Sequence, residues 1–435
     1  MVDLAVGVDI GTSSARVLAL DTSGSVRGVA AAHYPGAKQW PLGRAEPESW
    51  LHATAEAVES LRSRLEDDHR VAAIAVGGQN PTTVPLDGGL AVTYLDPVGA
   101  ALPPDEQQLA QHELLRRERG TDIAPLQLWD WVLLRLGARQ CQGRWPGDDH
   151  LPGYGEVVPT GTVVGKADGS WGLPEGTVLV PAAQDAYMSF WSARIDTPGR
   201  GLDPGGRTGG LGVAVPKGIR APGMLAFPSA ASGIDIVGGP VTSHGALLDW
   251  WSKMTGRPIQ ELLELAEGVP PGANGVLALP YLEGERSPRW NRSLTAEIVG
   301  IGPDTGPAEV ARALLEATAY GLAHIAQSLA DLGIRIDVLV CGGSPAHSRL
   351  WCSIKGATLG VPVEIPKNTE LAAYGAALAA GTALEWWPPP GQGTAGSWPH
   401  PEVDILQPGF EPEYEEGFRR FLELGDAAEG RLSQP

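Results

Sequence analysis

The sequence predicts an α/β architecture in two units, and three observations carry that expectation. Short apolar or β-branched runs alternate along the chain with longer segments of helical periodicity. Small-residue turns follow several of those runs directly, at 11–14, 77–79, 199–212 and 342–344. The length of 435 residues suits two or three domains at roughly 150 residues each. With 43% apolar and 19% charged residues, every domain can bury a core.

The elements follow in order. Residues 4–10 read as a buried strand and 15–21 as a second, joined by the Gly11-Thr12-Ser13-Ser14 turn and followed by a hairpin turn at 21–24. Apolar positions at Trp50, Leu51, Ala55, Val58, Leu61 and Leu65 predict an amphipathic helix over 47–65. A β-branched strand at 71–76 ends at Gly77-Gly78-Gln79. Beyond it lie a charged helix at 106–119, a Trp-rich stretch at 126–136 and a Gly/Pro/Asp loop at 142–155. A strand at 178–181 leads to Gln184-Asp185 and a helix over 186–195. A glycine-dense loop spans 199–212 around Arg207-Thr208.

The second unit begins near Gly238, with Ser243 expected to cap a helix running to Met254. A long helix is predicted at 308–332, a strand at 336–340, the Gly342-Gly343-Ser344 turn, a helix at 348–359 and a strand at 361–365. The Ala/Gly-rich segment 372–383 reads as a close-packed helix, 386–412 as a surface loop and 413–425 as a final helix.

Composition excludes several functions. With 51 acidic and 32 basic residues the net charge is −19, which argues against general nucleic-acid binding. Three scattered cysteines and nine histidines show neither C-x-x-C nor H-x-x-x-H spacing, so neither a disulfide framework nor a dedicated zinc site is expected. No basic leader and no long apolar run is seen, and the expectation is a cytoplasmic protein with no nucleic-acid or membrane partner. The G-x-G-x-x-G fingerprint of dinucleotide binding is absent at the N-terminus. Gly161 to Lys166 fails as a P-loop on spacing and because Ala167 follows the lysine.

Four segments could carry chemistry, each with an ordinary structural alternative. Asp9, at a strand end beside a Gly-Thr-Ser turn, suits Mg²⁺, while hydroxyls and backbone N–H groups of such a turn suit phosphate; the same turn also suits local capping. Gly206-Arg207-Thr208-Gly209-Gly210 permits close backbone approach to a ligand. Gly342-Gly343-Ser344 lies between strand and helix, a frequent nucleotide position. Asp185, just past a buried strand, suits acceptance of a proton from a substrate hydroxyl, and equally suits a helix start.

In this order the segments resemble the FGGY family of carbohydrate kinases over nearly the whole chain. The resemblance is carried by Gly7 to Arg16, Ile74 to Gln79, Gly172 to Ala186, Leu279 to Pro288, Cys341 to Trp351 and Glu370 to Ala377. It implies two ribonuclease-H-like domains of the actin/hexokinase type around a central cleft. The halves would be 1–237, for sugar and catalytic base, and 238–435, for ATP. It further implies Asp185 as base, and Asp9 for Mg²⁺. Gly11, Thr12, Ser13, Thr208, Gly209, Gly342, Gly343 and Ser344 would serve ATP, and Gln79, Asn80 and Asp185 the sugar.

The segment Tyr281 to Pro288 resembles xylulokinase-like members, which makes a ketopentose such as D-xylulose the expected acceptor. D-ribulose, other ketoses and polyols stay open, as do a homodimer and a catalytically silent sugar- or nucleotide-binding relative. Three features depart from the family pattern: Asn80-Pro81 stands where Met-His is common, Val98 where an Arg is usual, and Arg207 where a Gly is usual. The segment 99–150 is also shorter than in the family.

Overall fold

The computed structural model describes residues 2–99, 102, 104–119, 125–148 and 155–432. Packing divides the chain into two compact units, one comprising 1–194, 228–232 and 370–401, the other 195–227, 233–369 and 402–435. The chain therefore crosses between units several times, rather than once near 237.

The first unit is built on a six-stranded sheet. Its central strand, Val2–Ile10, pairs antiparallel with Ser14–Leu20 and parallel with His69–Gly78. Val26–His33 extends the antiparallel side, and Val178–Gln184 the parallel side. From Leu4 to Ile10 every residue of the central strand is buried, as expected of a near-continuous apolar run covered on both faces. The helix Pro47–Arg62 packs on the antiparallel strands, while Leu371–Ala383 packs on Val2–Ile10 and on the helix Asp185–Ser192.

Two glycines permit that second packing. A Cβ on Gly7 would lie 2.0 Å from the Ala373 carbonyl oxygen, and one on Gly375 would lie 2.2 Å from that of Met188. The small-residue composition of 372–383 thus serves close approach of backbones, as its sequence suggests.

The second unit repeats the pattern in a seven-stranded sheet. Arg200–Asp203 pairs antiparallel with Gly210–Pro216 and parallel with Val338–Cys341, which pairs parallel with Val363–Pro366. The 24-residue helix Pro307–Ala330 has one flank in the unit's core through Leu315, Leu322, Ile325 and Leu329.

Several local expectations are corrected. The stretch 199–212 lies in a hairpin whose arms are strands, because Leu202 and Leu211 are carried into the sheet. Within 142–155, residues 149–154 lie outside those described, and Cys141–Arg144 forms a strand beside Glu156–Pro159. Ser243 does not cap the helix Gly245–Thr255; His244 occupies that position. The Trp-rich stretch divides into the strand Pro125–Gln127 and the helix Leu128–Arg135, and Val403–Leu406 within the expected tail loop joins the sheet as an antiparallel edge. The last helix is longer than expected, Pro412–Leu432. Among the described residues no helix is long and apolar enough to cross a membrane. All three cysteines are free and buried.

Candidate active site

Asp9 stands one residue before the end of the central strand of the first unit, and only 6% of it is exposed. Its antiparallel partner in register is Arg16, and its parallel partner is Gly77. Arg16 Nη1 lies 3.7 Å from Asp9 Oδ2, while Arg16 Nε lies 3.2 Å from Glu370 Oε2. Burial pushes the Asp9 carboxyl up to about 7; the nearby Asp185 and Glu370 charges add to this and Arg16 opposes it. Asp9 Oδ1 is buried without a hydrogen-bond partner among the described residues.

Asp185 opens the helix Asp185–Ser192, directly after the strand Val178–Gln184. Sheet pairing therefore carries it to the same edge as Asp9. It is half-buried, and its Oδ1 accepts a hydrogen bond of 2.7 Å from the Ala186 N–H. Burial raises its pKa to about 6, against the opposing pull of that N–H and of Arg16. Two carboxyls with pKa values pushed toward neutrality at one strand edge form an arrangement common at catalytic sites and costly elsewhere.

Gln79 and Asn80 join them. The Gln79 N–H donates to the Ile10 carbonyl at 2.9 Å, extending the sheet by one residue past His69–Gly78. Asn80 Nδ2 donates to Gln184 Oε1 at 3.1 Å, next to Asp185. Both side chains retain a buried oxygen with no partner among the described residues, Gln79 Oε1 and Asn80 Oδ1. An unsatisfied buried polar atom of this kind costs about 1–3 kcal/mol, which a polar ligand would offset. Gly77 lets the neighbouring strand approach, since a Cβ there would sit 2.4 Å from the Ala183 oxygen.

The turn after Asp9 is held from outside. Gly11 N–H donates to Ser14 O, Tyr34 Oη donates to Gly11 O at 2.9 Å, and Thr12 Oγ1 lies 3.0 Å from Tyr94 Oη. Thr12 and Ser13 themselves are exposed. The first unit thus gathers Asp9, Gly11, Thr12, Ser13, Gln79, Asn80 and Asp185 at one sheet edge.

The second unit gathers the remainder. A Cβ on Gly205 would lie 2.3 Å from Gly342 O, and one on Gly343 would lie 2.8 Å from Pro204 O, so the two glycine loops touch through their backbones. Gly343 has φ 63° and ψ −171°, a conformation open essentially to glycine alone. Thr208, Gly209, Gly342, Gly343 and Ser344 belong to these adjoining loops. Arg207 is exposed and pairs with Glu283 at 3.2 Å.

Sequence reasoning left Arg16 and Glu370 without roles, although both lie in quoted segments. It also missed Asp130, whose carboxyl burial drives up to about 8 and whose Oδ1 accepts from Gly143 N–H at 2.9 Å. A carboxylate between Trp129 and Trp131 in an apolar run was the available signal. The segment Tyr281 to Pro288 lies in the second unit. Its Glu285 contacts Arg289 at 3.3 Å and His324 at 3.6 Å, and Arg289 also reaches Asp426 at 2.6 Å.

Comparison with known proteins gives the same family for two stretches of the chain. Residues 4–93 match the N-terminal domain of the FGGY family of carbohydrate kinases, and 236–384 match its C-terminal domain. A ribulokinase of Shouchella clausii is 30% identical over 229 residues, 49% of this chain and 41% of that protein. A glycerol kinase of Rhizorhabdus wittichii is 35% identical over 152 residues, 34% of this chain and 30% of that protein. These alignments thus span less than half of each relative.

Among solved structures, a "xyloylose kinase" from Brucella ovis superposes with a TM-score of 0.79 at 21% identity, covering 98% of this chain and 99% of that one. A Plasmodium falciparum glycerol kinase with ADP gives 0.77 at 15% identity, covering 100% and 99%. These structural likenesses demonstrate a shared fold.

Proposed function

Because the chain belongs to the FGGY family of carbohydrate kinases, we propose that it transfers the γ-phosphoryl group of ATP to a hydroxyl of a small sugar, with Asp185 as general base. The observation that carries this reading is the pairing of Asp9 and Asp185, two buried or half-buried carboxyls beside the unsatisfied oxygens of Gln79 and Asn80. In this reading Gln79 and Asn80 accept sugar hydroxyls. Ala186 N–H holds one oxygen of Asp185, and the other takes the proton of the attacking hydroxyl. A base with a pKa of about 6 is ionised at neutral pH and still basic enough to assist.

The orphaned Oδ1 of Asp9, in a pair of carboxyls that repel each other, fits a cation, so Asp9 would hold Mg²⁺. When bound, that ion supplies neutralisation of phosphate charge. Thr12 and Ser13 would meet the phosphates from the first unit. Thr208 with Gly209, and Gly342 to Ser344, would receive the nucleotide on the second. Phosphoryl transfer has little covalent chemistry for the protein to perform, so positioning and charge placement account for most of the catalysis.

The acceptor we favour is a ketopentose, D-xylulose or D-ribulose. The resemblance of Tyr281 to Pro288 to xylulokinase-like members and the likeness to a ribulokinase support it. The contacts of Glu285 with Arg289 and His324 give that segment a structural task within its own unit, so it supports the acceptor class rather than a single sugar. The test is ADP release from MgATP with a panel of ketoses, aldoses and polyols beside a no-sugar control. A strong response to one ketopentose is expected. Silence toward every sugar, with MgATP binding intact, would overturn the kinase reading.

A further inference from the structure

The second unit contains a buried cluster that the reading above does not use. Asp203 ends the strand Arg200–Asp203 and is wholly buried, as is His244, while Lys355 on the helix Arg349–Leu359 is 1% exposed. Lys355 Nζ lies 2.6 Å from Asp203 Oδ2 and 4.8 Å from the ring centre of Trp351. Burying a lysine and an aspartate is costly unless each gains partners. The Asp203 carboxylate gains two: its Oδ1 accepts from Gly205 N–H at 2.9 Å and its Oδ2 takes the ammonium, while the main-chain carbonyl of the same residue accepts from Gly342 N–H at 2.8 Å.

Those two glycines lie one in each of the adjoining loops. The third member sits beneath the first loop. His244 stacks on Trp351 at 4.8 Å, with its Nε2 3.5 Å from Asp203 Oδ2, and a Cβ on Gly209 would fall 2.3 Å from its Nδ1.

The sheet register shows what is unusual about this position. In the first unit Ile10 pairs with Gly78 and its carbonyl receives the Gln79 N–H; in the second Asp203 pairs with Cys341 and its carbonyl receives the Gly342 N–H. Asp203 therefore occupies the second unit's equivalent of Ile10, an apolar core position, and replaces it with a carboxylate. Burial works against that carboxylate, yet the Lys355 ammonium and the hydrogen bonds from Lys355 and Gly205 hold its pKa below the usual range. His244 stays neutral, because burial and the adjacent lysine push it down to about 3 despite Asp203.

We propose that Asp203, neutralised by Lys355, is a positioning residue that ties the two glycine loops together at the spacing an adenine nucleotide's phosphates require. The nucleotide part rests on the kinase reading; the tie between the loops does not. Asp203 makes no contact with substrate in this account. Its carboxylate orients the Gly205 backbone against the strand end whose main-chain carbonyl already holds Gly342, and so keeps the first loop beside the second.

The test uses three full-length variants: Lys355→Met, and the pairs Asp203→Asn/Lys355→Met and Asp203→Leu/Lys355→Met. The last two remove both charges, a replacement that proteins tolerate well in buried pairs. Asparagine keeps an oxygen for Gly205 N–H and leucine does not. Amide hydrogen exchange reads the tie: faster exchange at Gly205 is expected in the leucine pair and protection in the asparagine pair, while Gly342, bonded to a main-chain carbonyl that every variant keeps, serves as the internal reference.

Calorimetry with MgADP reads the consequence. The leucine pair should bind at least ~10-fold more weakly than the asparagine pair, the size of one lost hydrogen bond to a loop so held, although both melt at similar temperatures. Equal exchange and equal MgADP affinity in the two pairs would overturn the proposal. Altered exchange with no MgADP binding even by the unmodified protein would instead overturn the kinase reading, and the assigned role with it.

Discussion

The Arg16 guanidinium lies 3.7 Å from the Asp9 carboxylate, and the two residues are direct cross-strand partners in the first hairpin. That register follows from the Gly11 to Ser14 turn, so a four-residue loop fixes both the acid and its counter-charge. Arg16 lowers the pKa of Asp9 and of Asp185, opposing the larger effect of burial at each.

Replacing this cation should therefore move the acid side of the pH profile. With Arg16→Gln, both carboxyls hold their protons to higher pH, and the acid limb of kcat/KM should rise above the position it has in the unmodified protein. Activity at pH 7 falls and recovers on the alkaline side. A profile measured across pH 5–9 that loses height without shifting would show that Arg16 acts only by other contacts.

At Asp185 the contributions to activity and to stability should respond to pH in opposite senses. As the proposed base, Asp185 must be ionised, so kcat/KM should fall as pH drops below about 6. Because its folded pKa is raised above the ordinary 3.8, the folded state holds protons that the unfolded chain has released. Its contribution to stability is thus lost as pH rises between those two values. Asp185→Asn should consequently raise the melting temperature of the ligand-free protein at pH 8 and lose that advantage near pH 4. Thermal melts of the two proteins side by side test the sign.

The close packing of the helix Leu371–Ala383 gives a purely structural expectation. A methyl group on Gly375 would lie 2.2 Å from the Met188 carbonyl, and neither backbone can yield easily. Gly375→Ala should destabilise the first unit by about 1–3 kcal/mol, the usual range for overpacking. Denaturant melts that show no change would contradict the packing described. Because Met188 lies in the helix that begins with Asp185, the same change should also reduce turnover.

Much of this was legible in the sequence, for identifiable reasons. Asp9, Gly11 and Asp185 sit at abrupt changes from apolar run to small-residue turn, and strand ends of this type are readable without a structure. The helix at 372–383 declared itself through residues too small for any purpose but close approach. The 199–212 loop misled because glycines within a hairpin outweigh, by eye, Leu202 and Leu211, which lie in the arms that join the sheet. Ser243 has the right chemistry for a cap, yet the chain turns one residue later, at His244.

Asp203 and Lys355 were invisible for a different reason. They are 152 residues apart, and each alone reads as an ordinary surface charge. Only the pairing of Arg200–Asp203 with Val338–Cys341 brings the helix that bears Lys355 over Asp203.

Whether Asp185 is the base of a phosphoryl transfer is read from the turnover of Asp185→Asn measured beside its ligand binding. The account predicts MgADP affinity unchanged and turnover of the accepted sugar reduced at least ~10²-fold, the low end for removal of a general base. Near-normal turnover in that variant would contradict it.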